Sequence, residues 1–275
     1  MQISNPFFNT QTKIADVEQL TDRLLALALK DTQLIGEVSA LRNDVSKAQY
    51  TAIASSENLL INPRGKINQL NESDGVLSAG QYFCDGWKAG AAGAEVYRDS
   101  DGFRLVSGSI LQLVPNILDA NCMIRGNMKI ISGAPSISIN SASDSELSNT
   151  ANYIQFEVSG DNSKFTRLIL AESDSLPIYQ QPIDELIPCL RFVRTSRMRY
   201  RPSPWQKDTN SSTGLGVESV EFGAVMHTPI SVSVTKHGST SLQVVDVSKN
   251  GFSLYDARAS SGGACILGYV ADARP

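Results

Sequence analysis

TQTKIADVEQLTDRLLALALKDTQLIGEVSALRNDVSKAQYTAIAS, residues 10 to 55, holds one heptad register from end to end. Its a positions are Thr10, Val17, Leu24, Asp31, Val38, Val45 and Ala52, and its d positions are Lys13, Leu20, Leu27, Leu34, Leu41, Ala48 and Ser55. Apolar residues recurring every 3.5 positions form a seam that helices bury by winding around one another. A lone helix has nothing of its own to cover that seam, so the stretch predicts parallel copies of the chain joined along it. At about 1.5 Å of rise per residue the rod is on the order of 60 Å long.

The flanks of the seam bear on copy number. Val at a with Leu at d favours two strands, but Ile14, Ala28 and Ile35 fall at e and widen the apolar stripe beyond what two helices cover. Three strands are expected, held by Val17, Leu20, Leu24, Leu27, Leu34, Val38, Leu41 and Val45. Glu37 at g and Arg42 at the next e can bridge parallel neighbours and help fix their orientation. Asp31 at an a position reads as a register pin or local loosening, with an ion or water on the axis as the sharper alternative.

Composition divides the chain near residue 56. Of 20 glycines 19 follow residue 55, as do 10 of 11 prolines. The 220 residues that remain suffice for a sizeable core or for two domains of about 100 to 120 residues each. Residues 1 to 55 carry 5 basic and 6 acidic side chains, leaving 19 and 22 in the rest, a balance that argues against a nucleic-acid binder. Cys84, Cys122, Cys189 and Cys265 stand far apart with only His227 and His237 beside them, so no metal or redox motif is present and no cofactor is expected. MQISNPFFNT lacks a basic segment followed by an apolar one, and no stretch is apolar for long enough to span a bilayer. Folding in a reducing cytosol without membrane insertion is expected, with release by lysis or as part of a particle.

Beyond residue 56 the chain reads as short strands cut by turns. Runs that alternate or stay apolar include 58–62, 103–106, 128–131, 136–140, 153–158, 168–171, 230–234, 242–247 and 265–270. Between them stand Asp74-Gly75, Asp101-Gly102, Ser132-Gly133, Ser159-Gly160-Asp161-Asn162, His237-Gly238, Asn250-Gly251 and Gly262-Gly263. The fold class predicted is mainly β: a parallel trimeric coiled coil followed by two β-sandwich or jelly-roll modules. The Pro-punctuated stretch 175–188 marks the junction, giving a stalk over 13–56, a first β-domain over 57–178 and a terminal one over 179–275.

Asn58-Leu-Leu-Ile-Asn62-Pro63, then Asn68-Gln69, then Tyr82-Phe-Cys-Asp85-Gly-Trp87-Lys88-Ala89-Gly90 resembles the opening of a β-domain found near the C-terminus of many bacteriophage fibre proteins. Leu170-Ala-Glu172, Pro182, Glu185-Leu186, Cys189 and Arg191-Phe192 are similar to the passage into their terminal β-module, and Gly251-Phe252-Ser253 with Tyr269-Val-Ala-Asp272-Ala273 resembles their last strand. The likeness is spread over nearly all of 57–275 and rests on the order and spacing of these pieces together. The chain departs from it at Gly86, where members often carry Arg, and at Phe192-Val193, where they often carry two aromatics. The resemblance implies a homotrimeric virion fibre, on tail or capsid, made in the host cytoplasm and exposed on the particle, with a host-surface glycan or protein as its target. Residues 1 to 12, with Pro6, Phe7 and Phe8 ahead of a polar run, are then the expected attachment segment to a capsid or tail protein.

Catalytic chemistry has little support. No Ser, His and acid set falls into motif spacing, and His227 and His237 read as surface or hairpin residues. Asp99 and Asp101 are the nearest carboxylate pair for a depolymerase, but Arg98-Asp-Ser-Asp-Gly102 between strand-like runs reads better as a hairpin turn than as a calcium loop. Binding features are stronger. Trp205 lies in a Pro-, Ser-, Asn- and Gly-rich loop over 201–216, where an exposed indole can stack on a sugar and Asn210 can pair with its hydroxyls, or where the ring can pin the loop to the sandwich or a neighbouring protomer. Trp87 reads as core. Leu190 to Arg201 places five arginines in eleven residues; on a strand, Arg191, Arg197, Arg199 and Arg201 share a face with Arg194 opposite, suited either to an anionic polysaccharide or to pairing with Asp184, Glu185 and Asp208 of a neighbour. An adhesin is the expected function, beside a structural fibre without glycan specificity and a depolymerase.

Overall fold

The computed structural model describes residues 6–54, 57–197, 204–205, 215–223, 225–237, 242–256 and 265–275, and within the first of these it describes side chains over 17–42 and at Val45. The described residues are mainly β, with sixteen strands in three antiparallel sheets and two helices. The chain divides into a helical unit ending at Ile53 and a β unit from Ala54 to Pro275.

Helix α1 runs from Pro6 to Ala54, and its first residue suits a position where no N–H is needed and the fixed φ is already helical. Its hydroxyls fold back on the helix: Thr21 donates to the Val17 carbonyl, Thr32 to Ala28 and Ser39 to Ile35, each at 2.8 or 2.9 Å. These three hydroxyls, which could otherwise compete for the backbone, are thereby satisfied within the helix. Phe7 and Phe8 fall within α1, which takes in residues 6–12 of the stretch 1–12.

In the β unit, nine strands form one branched sheet: β1 (Gly75–Leu77), β2 (Tyr82–Cys84), β3 (Trp87–Asp99), β4 (Gly102–Pro115), β5 (Met123–Ser132), β6 (Ser136–Ile139), β7 (Ser145–Leu147), β8 (Tyr153–Ser159) and β9 (Ser163–Glu172). The branch is at β4. One edge pairs with β3 from Gly102↔Asp99 to Leu111↔Lys88. The other edge pairs first with β9, at Phe103 to Leu105, and then with β8, from Ser109 to Pro115. β8 and β9 are joined by Gly160, Asp161 and Asn162, so from one strand the sheet parts into a β8–β6 arm and a β9–β5–β7 arm. Ile139, Ile154, Phe156 and Val158 from the first arm and Ile124, Phe165, Leu168 and Leu170 from the second belong to one buried cluster, which makes the arrangement sandwich-like. At its centre Trp87, fully buried, lies 5.4 Å from Phe103 and 6.2 Å from Phe156, ring centre to ring centre.

A second cluster belongs to the later strands. A short helix α2 (Leu186–Cys189) precedes β10 (Val193–Ser196), which with β16 (Cys265–Asp272) and β13 (Ser231–His237) makes a three-stranded sheet. β11 (Pro204–Trp205), β12 (Leu215–Glu221), β15 (Gly251–Asp256) and β14 (Leu242–Ser248) make a four-stranded one. Val220, Phe222, Phe252, Leu254, Ile266, Tyr269 and Ala271 from the two sheets share a core, with Phe252 and Tyr269 edge to face at 5.2 Å.

The expected strand over 58–62 is instead an irregular segment that uses a side chain in place of a ladder. Asn58 Oδ1 accepts the N–H groups of Leu60 and Leu170, its Nδ2 donates to the Leu168 carbonyl, and Leu59 N–H donates to the Leu170 carbonyl at 2.8 Å. The other eight expected runs fall on β4, β5, β6, β8, β9, β13, β14 and β16.

Candidate functional sites

On α1 the seam residues lie open in the single chain. Val17, Leu20, Leu24, Leu27, Leu34, Val38, Leu41 and Val45 are between 47% and 66% exposed, and Ile35, at an e position, is 67% exposed. Leu25 and Leu29 are as open as these, at b and f positions that the seam leaves out. They are one helical turn apart and make a second, shorter apolar strip.

The arginine-rich run is broken up. The strand expected over 190–201 is described only as β10; Arg191 stands in the turn after α2, its carbonyl accepting the N–H of His227, and Arg194 donates through Nε to the Leu190 carbonyl at 3.2 Å. Arg191 and Arg197 are exposed, and among the described residues neither Arg191, Arg194 nor Arg197 forms an ion pair. The sharing of one strand face by Arg191 and Arg197 therefore does not hold. Arg199, Arg201 and Asn210 lie outside the described residues. Trp205 is placed by its backbone, in β11 opposite Leu215, and its ring lies outside the described side chains.

Asp99 and Asp101 sit on the β3–β4 hairpin, whose two-residue turn is Ser100-Asp101. Asp99 faces Lys164 and Arg104, whereas Asp101 pairs with Arg64 and Lys66, so the two carboxylates are held by different cations. Of the two histidines, His237 is the exposed last residue of β13, opposite Cys265, rather than part of a turn. His227 is half-buried: it stacks on Phe192 at 5.5 Å and lies 5.8 Å from Tyr153, with Nδ1 buried and unpartnered. Burial and the nearby Arg191 hold its pKa below the ordinary value.

The residues of the opening segment form a polar knot beside the aromatic core. Asn62, with φ of 49°, accepts Ile67 N–H on Oδ1 and donates from Nδ2 to the carbonyls of Ile67 and Asp85. Its own carbonyl accepts Trp87 Nε1 at 2.9 Å. Asp85 accepts Gln69 through both its backbone N–H and its amide, and the same amide donates to the Val193 carbonyl. Burial pushes the Asp85 carboxyl up, with the Gln69 hydrogen bonds opposing. Charge ties the two ends of the unit together as well. Arg64 grips Glu185 and Asp101, and Arg274, stacked 4.0 Å over the Tyr82 ring, bonds to both carboxylate oxygens of Glu72 and to Asp272. Burial works against the charge on Arg274, yet these carboxylates hold its pKa above the ordinary range. Tyr82 is itself pushed up to about 12, chiefly by burial, and donates to the Pro275 carbonyl oxygen, as does Lys88 at 2.7 Å.

No family model, curated protein or solved structure matches the chain. Its chemistry must be read from its own groups. The thiols of Cys84 and Cys189 are fully buried and burial pushes both up, leaving them poor nucleophiles. Among the described residues no group of three or more His, Cys, Asp or Glu side chains converges as metal ligands would. A cleft of ≈ 280 Å³ opens between the segment 57–63 and the segment 180–188, lined by Asn58, Leu60, Gln180, Pro182, Glu185 and Pro188 among others. Among the described residues, the polar groups of the opening segment and the charged pairs of Arg64 and Arg274 hold the β unit together.

Proposed function

We propose that the chain is the subunit of a parallel homotrimeric fibre of a bacteriophage virion: a coiled-coil stalk formed by α1, two sandwich-like or jelly-roll modules behind it, and an adhesive surface for host-cell glycan on the terminal one. The observation that carries the reading is the open seam. Eight apolar a and d side chains lie about half or more exposed in a chain whose β strands have already closed two cores of their own. A seam of that length is buried by copies of itself, and Ile35 beside it favours three. The fibre assignment further draws on the likeness of 57–275 to phage fibre β-domains, and the knot of Asn58, Asn62, Gln69, Asp85 and Trp87 gives the quoted residues a shared architectural task.

In this reading the N-terminal turns around Phe7 and Phe8 attach to a capsid or tail protein, and Trp205, Arg197, Arg199, Arg201 and Asn210 contact host polysaccharide. Nucleic acid and membrane insertion have no part in it. Sedimentation equilibrium of the full chain at micromolar concentration should return three times the chain mass. Leu27→Asp with Leu34→Asp should return one, since each layer then carries three carboxylates in a dry seam. The wild-type trimer should adsorb to host cells through multivalency, and Trp205→Ala should weaken adsorption while leaving assembly intact. A monomeric wild type removes the stalk; a trimer that adsorbs to no bacterial surface leaves a structural fibre.

A further inference from the structure

The β unit carries an apolar surface that its own cores do not use. Ile183 is fully exposed, Ile187 and Leu176 are 64% and 57% exposed, and Ile178 and Leu186 stand open beside them in sequence. All five fall within residues 176–187, whereas the rest of the β unit's exposed large apolar side chains are scattered singly or in pairs. The segment is not a loose loop. Glu185 is locked to Arg64, Asn127 donates to the Pro177 carbonyl at 2.8 Å, and Asp184 Oδ1 accepts the N–H groups of Leu186 and Ile187, starting α2. Five open apolar side chains on a fastened segment call for a cover.

We infer that this face is covered by the neighbouring copies of the same chain, as a second contact that continues the stalk seam into the β unit; the inference rests on the trimer reading above. What identifies the occupant is position along the chain. Gln180, Pro182, Glu185 and Pro188 line the same cleft as Glu57, Asn58 and Leu60 to Pro63, so Ile183 and Ile187, each next in sequence to a lining proline, stand beside the point where the chain enters the β unit. Ala54 ends α1, and three residues span at most about 11 Å between Ala54 and Glu57. Helices in a coiled coil lie about 8–10 Å apart. By covalent reach alone, the entry points of the copies are therefore gathered near one axis, and the surface beside each entry point is the part of each β unit closest to its neighbours. Rotational symmetry brings the same face of every copy to that axis. Asp184 Oδ1 is engaged by the α2 backbone, and Ile183 and Ile187 are the most exposed apolar side chains of the segment.

The test uses the full chain bearing Ile183→Cys, with Ile187→Cys as a second site, alone and combined with Leu27→Asp and Leu34→Asp. Iodoacetamide labelling is followed residue by residue by mass spectrometry, and silence of the buried Cys84 and Cys189 reports that the β unit is folded. The expected result is labelling at residue 183 or 187 at least about tenfold slower in the trimer than in the seam-disrupted monomer. Equal rates in trimer and monomer at both sites, with Cys84 and Cys189 still silent, overturn the covered face and leave the stalk trimer standing. A wild-type chain that sediments as a monomer overturns both.

Discussion

Replacing Arg274 with Met tests whether the two cores are held as one body by charge. The substitution keeps an unbranched side chain over the Tyr82 ring while deleting a guanidinium that is 6% exposed and that bonds Glu72 at 2.8 and 2.9 Å and Asp272 at 2.7 Å. Two carboxylates would be left without their cation, Glu72 with 18% and Asp272 with 29% of the side chain in solvent. Stranding a fully buried partner costs about 3–5 kcal/mol, and the partial access to water here brings the expectation to about 2–3 kcal/mol. For a unit of this size that corresponds to a fall in Tm of roughly 5–10 °C. Urea unfolding at neutral pH measures it directly, and Glu72→Gln in the same background should be much less than additive, because one partner is then already missing. A loss below about 0.5 kcal/mol, or full additivity with Glu72→Gln, would show that water replaces the bridge at no net cost and that the coupling of the cores lies in the apolar contacts and the Gln69–Val193 bond.

Gly108→Ala should destabilise by about 2–5 kcal/mol, since Gly108 has φ of +80° and an added Cβ would fall on the Gly93 carbonyl oxygen and 3.0 Å from Ala94 Cα, backbone that cannot turn aside. Gly75→Ala, at φ +123° with open space around it, should lose only the conformational part, about 1–2 kcal/mol, and equilibrium denaturation of both separates crowding from strain. His227 gives a pH dependence with a defined sign. Its folded pKa lies below the ordinary 6.5, so in that window the unfolded chain holds the extra proton, and stability present at neutral pH is lost as pH falls from 6.5 through the folded value. Urea midpoints at pH 7 and pH 5 should differ less in His227→Gln than in the wild type; an equal difference would place the proton elsewhere.

What could be read from the sequence follows from which forces leave a period behind. The apolar heptad repeat made the helix α1 legible, and β8 was legible because Tyr153 to Ser159 alternates faces along its length. β3 was not. Trp87-Lys-Ala-Gly-Ala-Ala-Gly-Ala-Glu reads as a weak strand former, and it is one because β4 lies along one edge and β1 and β2 along the other, a tertiary demand with no local signature. Arg191 departs from the strand face for the opposite reason. A strand face was inferred from spacing, while Asp184 and Pro188 start and shape α2 just upstream and leave Arg191 in the turn that follows. Arg64 with Glu185 joins residues 121 apart, and Arg274 with Glu72 joins residues 202 apart, so no spacing rule reaches either pair. Trp87, expected in the core, is there, and its neighbours Asn62 and Asp85 carry no periodic signal in the sequence; the fold gives each its bond.

The attachment of Asn58 and Leu59 to β9 has a mechanical side. In a chain held by its helical end, tension travels along the backbone and meets the bonds of the β unit first at these two residues. The bonds it meets there run to Leu168 and Leu170 in the second half of β9, where the partner strand is β5, β4 pairing with β9 only at Ser163 to Phe165. A pull is thus delivered to a strand held by β5 beside the point of attachment and by β4 further back along its length. An outer strand such as β7 would peel away one bond at a time under the same load.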